Sequence, residues 1–201
     1  MTVPLTVAGG AGDLTVPADA VGVVVFAHGS GSSRHSPRNI AVARTLQDHR
    51  FATVLFDLLA ADEEDRRFDI DLLSDRLLQV TDRIGREEST AGLPVGLFGA
   101  STGAAAALRA AATRPGIRAV VSRGGRPDLA ADALPRVTSP TLLIVGGKDP
   151  DVRRLNEQAA QRLAAPHEVR IVPGATHLFA EPGTLEAVAE MAAAWFTEHL
   201  T

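Results

Sequence analysis

One stretch constrains this chain more than any other: Val95-Gly96-Leu97-Phe98-Gly99-Ala100-Ser101-Thr102-Gly103, which runs straight into Ala104-Ala105-Ala106-Ala107-Leu108. The first five residues read as a short buried strand and the alanine-rich run as a helix. Between them, Gly99-x-Ser101-x-Gly103 puts a serine on the turn from strand to helix. A turn that sharp crowds the neighbours of its central residue, so glycine on both sides removes clashes that side chains would make. The turn lifts the serine oxygen above the carboxyl end of the sheet. It also aims the backbone N–H of Thr102, at the start of the helix, toward negative charge developing on a bound substrate.

The rest of the chain supplies a sheet for that turn to sit in. Leu5 to Val7 and Leu14 to Val16, separated by Gly9-Gly10-Ala11-Gly12-Asp13, read as an opening antiparallel pair. Val21 to Phe26 is a continuous apolar run, as a strand buried on both faces requires. A helix is expected from about Pro37 to His49, with Ser36 as its cap and Ile40, Ala43, Leu46 and Gln47 at helical spacing. Phe51 to Phe56 is the next strand. Ile70 to Arg86 is an amphipathic helix with Leu73, Leu77, Val80 and Ile84 on one face. After the central strand and a helix to about Thr113 come strands at Arg118–Ser122, Thr141–Val145 and Glu168–Val172, and helices at about Val152–Leu163 and Thr184–His199. This alternation predicts an α/β fold over residues 1–201, a single domain with a mostly parallel sheet covered by helices on both faces. Ligands then bind at the carboxyl ends of the strands.

Composition narrows the function classes. With 201 residues, 45% hydrophobic and 22% charged, the chain has the make-up of a soluble globular domain. Its net charge of −4 offers no basic footprint for nucleic acid or an anionic membrane. It has no cysteine, which excludes disulfides, thiolate metal sites and a cysteine nucleophile. No run approaches a membrane span, and the N-terminus lacks a secretory pattern, so a cytoplasmic location is expected. No histidine pair has helical metal spacing, and neither a metal nor a cofactor is implied. Gly29-x-Gly31-x-x-Arg34 fails as a dinucleotide fingerprint at its third position. Leu142 stands where a phosphate-binding loop ending in Gly147-Lys148 would need glycine.

Polar residues collect in the loops that follow the strands: His28–Pro37, Asp57, Ser101, Arg123–Arg126, Asp149 and His177. A serine hydroxyl is a poor nucleophile at neutral pH and needs a base, which in turn needs a carboxylate to hold its tautomer. His177 and Asp149 offer both, in the chain order Ser, Asp, His. Asp149 directly follows the paired glycines Gly146-Gly147, whereas Asp151 reads as a first-turn residue of the next helix. His28 reads as structural, bonding loop backbone beneath the site. Arg34, His35 and Arg123 are candidates to bind an anionic substrate group; solvated or ion-paired side chains are the other reading, and Asp57 is an available partner.

With those residues in place, the chain resembles the α/β-hydrolases, and among them the dienelactone hydrolase-like proteins. The likeness covers nearly the full length. It rests on His28-Gly29, Gly99-x-Ser101-x-Gly103, Gly146-Gly147-Lys148-Asp149 and Gly174-x-x-His177. The resemblance implies a hydrolase fold without a cap domain. It also implies a second oxyanion donor in the loop after His28-Gly29, at Ser30 N–H or its neighbour Gly31, which is also a candidate substrate contact. Dienelactone hydrolases proper use a cysteine nucleophile; Ser101 stands here instead, which favours carboxylic esters over lactones. The chain is similar as well to small bacterial hydrolase domains sometimes fused to a phosphoribosyltransferase, a partner domain not expected in this sequence.

The expected activity is therefore hydrolysis of a small-molecule ester with a short or medium acyl chain, through an acyl-enzyme on Ser101. Acyl transfer or perhydrolysis on the same three residues is one alternative, and non-catalytic binding of a small ligand is another. Oligomeric state is not written in the sequence.

Overall fold

Strands and helices alternate as the apolar runs require: β1 (Thr2–Val7), β2 (Gly10–Thr15), β3 (Gly22–Ala27), α1 (Pro37–Asp48), β4 (Phe51–Phe56), α2 (Ile70–Ile84), β5 (Val95–Ala100), α3 (Thr102–Thr113), β6 (Ile117–Arg123), β7 (Thr141–Gly146), α4 (Pro150–Ala160), β8 (His167–Val172) and α5 (Thr184–Leu200). This computed structural model describes residues 2–7 and 10–201. Its eight strands form one sheet in the order β1-β2-β4-β3-β5-β6-β7-β8. β1 and β2 pair antiparallel, β2 joins β4 antiparallel, and every other pairing is parallel.

The order of β4, β3 and β5 creates the site. From β3 the chain crosses by α1 to β4 on one side, then returns by α2 to β5 on the other. The carboxyl ends of β3 and β5 therefore flank the point where the winding reverses, which is where open α/β sheets bind ligands. Both faces are packed. Val23, Val25 and Ala27 of β3 join one core with Leu73, Leu77, Val80 and Ile84 of α2 and Ala105 to Ala107 of α3. Val24 and Phe26 point the other way, against Val42, Ala43 and Leu46 of α1 and Val188, Ala192 and Phe196 of α5. Each such large apolar side chain contributes about 2 kcal/mol relative to exposure.

Several boundaries differ from expectation for local reasons. β2 begins at Gly10, so most of the glycine-rich run is strand; Gly9 lies outside the described residues. Gly12 faces Phe56 of β4, where a Cβ would come within 2.9 Å of the Phe56 Cβ. The buried stripe of α1 is Asn39, Val42, Ala43 and Leu46, turned by one residue from the one expected, with Ile40 and Gln47 only partly buried. Ser36 caps this helix from a 3.4 Å bond donated by Asn39 N–H. α4 starts two residues early, at Pro150, whose fixed φ suits a first helical position. α2 stops at Ile84, before Gly85.

The mixed-sign run after β4 forms a short 3-10 turn, Ala61–Arg66, on the surface. Glu63 there makes a two-pronged pair with Arg76 of α2, each contact 2.7 Å. No helix among the described residues is long and apolar enough to cross a membrane.

Candidate active site

The turn after β5 is as tight as its glycines imply. Ser101 sits at φ 52°, ψ −119°, a conformation that side chains rarely adopt. It is locked from three directions: Ser101 N–H donates to Arg123 C=O at 3.1 Å, while its own C=O accepts from Ala104 N–H and Arg126 N–H, both at 3.1 Å. A Cβ on Gly103 would stand 2.2 Å from Ala27 C=O oxygen, and one on Gly99 would stand 2.4 Å from Ala104 Cα. Backbone thus meets backbone on both sides of the serine.

The Asp149 and His177 loops are joined to each other before their side chains meet. Gly147 N–H bonds Val172 C=O at 2.9 Å, and Lys148 N–H bonds Ala175 C=O at 2.8 Å. Gly146 packs so closely on this loop that a Cβ would lie 2.5 Å from Ala175 C=O oxygen. Asp149 Oδ2 and His177 Nδ1 are then 2.7 Å apart, with the carboxylate side chain 16% exposed and the imidazole 40%. His177 Nε2 has no protein partner among the described residues. Asp151 lies exposed in the first turn of α4, away from this pairing.

Ser101 and His177 line one cavity of about 220 Å³, shared with Gly29, Ser30, Arg38, Asn39, Arg123 and Leu178. A second cavity, about 250 Å³, opens on the other side of Gly29, Ser30 and Thr102. Its walls are the loop from His28 to Ser33, the segment from Asp57 to Ala61, and Glu64, Arg67 and Leu73.

The two expected oxyanion donors, 72 residues apart, are brought together, with one difference from expectation. Ser30 N–H is not free: it donates to Thr102 Oγ1 at 2.7 Å. Thr102 N–H, in the first turn of α3, and Gly31 N–H, in a loop residue at φ 67°, have no partner among the described residues.

The candidate arginines separate. Arg34 lines neither of these cavities. Its N–H donates to Asp57 Oδ1 at 2.8 Å, and its guanidinium pairs with Asp57 and, at 3.4 Å, with Asp13. That is the ion-paired reading, and it staples the loop to β4 and β2. His35 is exposed. Arg123 is buried in the Ser101 cavity, and its Nη2 donates to Asn39 Oδ1 at 3.3 Å.

His28 is structural. Its Nε2 accepts from Leu58 N–H at 3.0 Å and its Nδ1 faces Gly29 C=O at 2.9 Å, a pattern that needs the neutral ring with the proton on Nδ1. Burial, partly countered by the Gly29 bond, lowers its pKa below the ordinary value. Because the folded state resists protonation, the stabilisation is complete above about pH 6.5 and is lost as pH falls toward the lowered folded pKa. We expect urea stability to decline from pH 7 to pH 5 more steeply in the wild type than in His28→Asn. Equal slopes would rule out a neutral buried ring.

Asn39, Arg38 and Thr102 Oγ1 escaped the sequence reading. Only Asn39 left a signal, a polar residue on the stripe of Ala43 and Leu46.

A sequence profile of the alpha/beta hydrolase fold matches residues 22–134. A dienelactone hydrolase from Anabaena variabilis superposes with a TM-score of 0.96 at 51% identity, over 100% of this chain and 99% of that one. Est1E from Butyrivibrio proteoclasticus shares the fold, with a TM-score of 0.83 at 17% identity over 98% of both chains. The chain belongs to the α/β-hydrolase family, within its dienelactone hydrolase-like group. Two curated Mycobacterium tuberculosis proteins, from strains CDC 1551 and H37Rv, are 59% identical over 194 residues, 94% of this chain. Both carry a provisional phosphoribosyl transferase name, and this chain spans only 44% of their length.

Proposed function

We propose that the chain is a serine esterase for small carboxylic esters. The observation that carries this reading is the 2.7 Å Asp149–His177 pair on the cavity that also holds Ser101. With its proton on Nδ1 and held by Asp149, His177 presents Nε2 as the base. Ser101 Oγ attacks the acyl carbon as Nε2 takes its proton, and the imidazolium that forms is stabilised by the carboxylate. Thr102 N–H supplies one oxyanion donor. The second comes from the Gly29–Gly31 loop, either from Ser30 N–H exchanging its Thr102 hydroxyl for the oxyanion or from Gly31 N–H. Each such donor contributes on the order of 3 kcal/mol at the transition state. The protonated His177 then gives its proton to the leaving alkoxide, and next activates water to release the acid.

The two cavities are small beside drug-sized pockets of roughly 300–1,000 Å³. That supports short or medium acyl chains, and p-nitrophenyl acetate and butyrate are expected to turn over faster than the palmitate. Fluorophosphonate labelling followed by mass spectrometry tests the nucleophile: the adduct belongs on Ser101, and labelling elsewhere sinks the proposal. Asp149→Asn should leave the fold intact and lower kcat by roughly two to four orders of magnitude, because the imidazole loses its tautomer and counter-charge. Wild-type kcat in that variant would remove Asp149 from the mechanism.

A further inference from the structure

Arg123 is a buried charge without a counter-ion among the described residues. Three part-buried arginines elsewhere in the fold are paired: Arg76 with Glu63, Arg34 with Asp57 and Asp13, Arg109 with Asp71 and Asp132. Arg123 is only 7% exposed and makes no ion pair among the described residues. Its single side-chain bond is to the neutral Asn39, and its Nε and Nη1 have no partner. The charge that bears on it is of the same sign, Arg38, which shares the cavity and likewise makes no ion pair among the described residues. Burial, then Arg38, pulls the Arg123 pKa down to about 10, so it still carries its charge at neutral pH. The site's own carboxylate, Asp149, is taken up by His177. Buried charges are ordinarily paired. Here the missing partner has a place to sit, because Arg123 lines the Ser101 cavity and lies opposite Ala100 in the β5–β6 pairing. The amino end of α1, capped by Ser36, opens onto the same space and adds partial positive charge.

We propose that Arg123, helped by Arg38, binds an anionic group on the ester, a carboxylate or phosphate carried by one half of the substrate, while the other half occupies the neighbouring cavity against Leu58, Leu59, Ala60 and Leu73, which Asp57, Glu64 and Arg67 also line. This rests on the esterase reading and names its substrate class. An arginine fork matches carboxylate and phosphate oxygens alike.

The test compares kcat/KM for charged esters with that for matched neutral ones. Mono-p-nitrophenyl adipate against its methyl ester places the carboxylate on the acyl side. Meta-acetoxybenzoate against its methyl ester places it on the alcohol side, and meta-acetoxyphenyl phosphate against meta-cresyl acetate tests phosphate. At least one charged member is expected to be favoured about tenfold or more, and that ratio to fall about tenfold in Arg123→Met and in Arg38→Gln, chiefly through KM. Arg38 is partly exposed, so its variant reports even where Arg123→Met does not fold. Ratios near one for all three pairs, or ratios unchanged in the folded variants, overturn the subsite while leaving the esterase standing. If no ester turns over and Ser101 takes no label, the esterase reading fails instead. Calorimetry with adipate, benzoate and inorganic phosphate then decides the subsite alone: binding weakened by Arg38→Gln supports it, and no binding overturns it.

Discussion

Ser101→Ala should lower ester turnover by at least about ten-thousand-fold, measured as kcat on p-nitrophenyl butyrate with active-site-free background subtracted. The reason is that no other group is held where Ser101 is held. Its hydroxyl stands on a backbone at φ 52°, fixed by bonds to Arg123, Ala104 and Arg126, in the cavity that contains His177. The neighbouring hydroxyl, Thr102 Oγ1, is engaged by Ser30 N–H. A variant retaining a tenth of the activity would show that another nucleophile operates. The same position reads the strain stored in the turn. Ser101→Gly, which tolerates positive φ, should be as inactive as the alanine variant but more stable to urea by about 1 kcal/mol.

Gly103→Ala should be among the most damaging single methyl additions in the protein. Its Cβ would meet Ala27 C=O oxygen at 2.2 Å and His28 C=O oxygen at 2.5 Å, both of them backbone that has no rotamer to yield. To accommodate it α3 has to lift from the end of β3. That movement loosens Ala104 to Ala107, all fully buried, and displaces Thr102 N–H and Ser101 together. A loss of at least about 3 kcal/mol in urea or thermal unfolding is expected, as for overpacking against an immovable wall. Gly116→Ala is the control: nothing lies within 4 Å of its would-be Cβ, so stability should change by less than about 0.5 kcal/mol. Equal effects at the two positions would mean that the close approach of α3 to β3 is not what holds the turn.

Most of the scaffold was legible because its signals are local. The strand-sized apolar runs, the proline and serine at the start of α1, and the periodic face of α2 each depend on residues within one element. The glycines around Ser101 were legible for a related reason, since a sharp turn needs them wherever it occurs. The arginines were not. Arg34 and Arg123 both follow a strand and both read as anion-binding or ion-paired, and nothing within a few residues of either distinguishes them. Arg34 found carboxylates on β2 and just after β4, brought to it by the sheet order, whereas Arg123 was set against α1 and met Asn39 and Arg38.

The sequence by itself determined the α/β alternation, the two-sided burial of the strands, the strained serine turn, and the order in which Ser101, Asp149 and His177 reach one edge. These follow from periodicity, turn sterics and position at strand ends, all properties of short stretches. Only the tertiary structure decided the rest: that Thr102 Oγ1 occupies Ser30 N–H, that Arg34 pairs with Asp57 and Asp13, and that Arg123, set against Asn39 in the Ser101 cavity, is buried without a counter-ion among the described residues. Each of these is a contact between groups far apart in sequence. Hydrogen bonds and ion pairs act over a few ångströms, so their partners are chosen only when the strand order has set which loops meet.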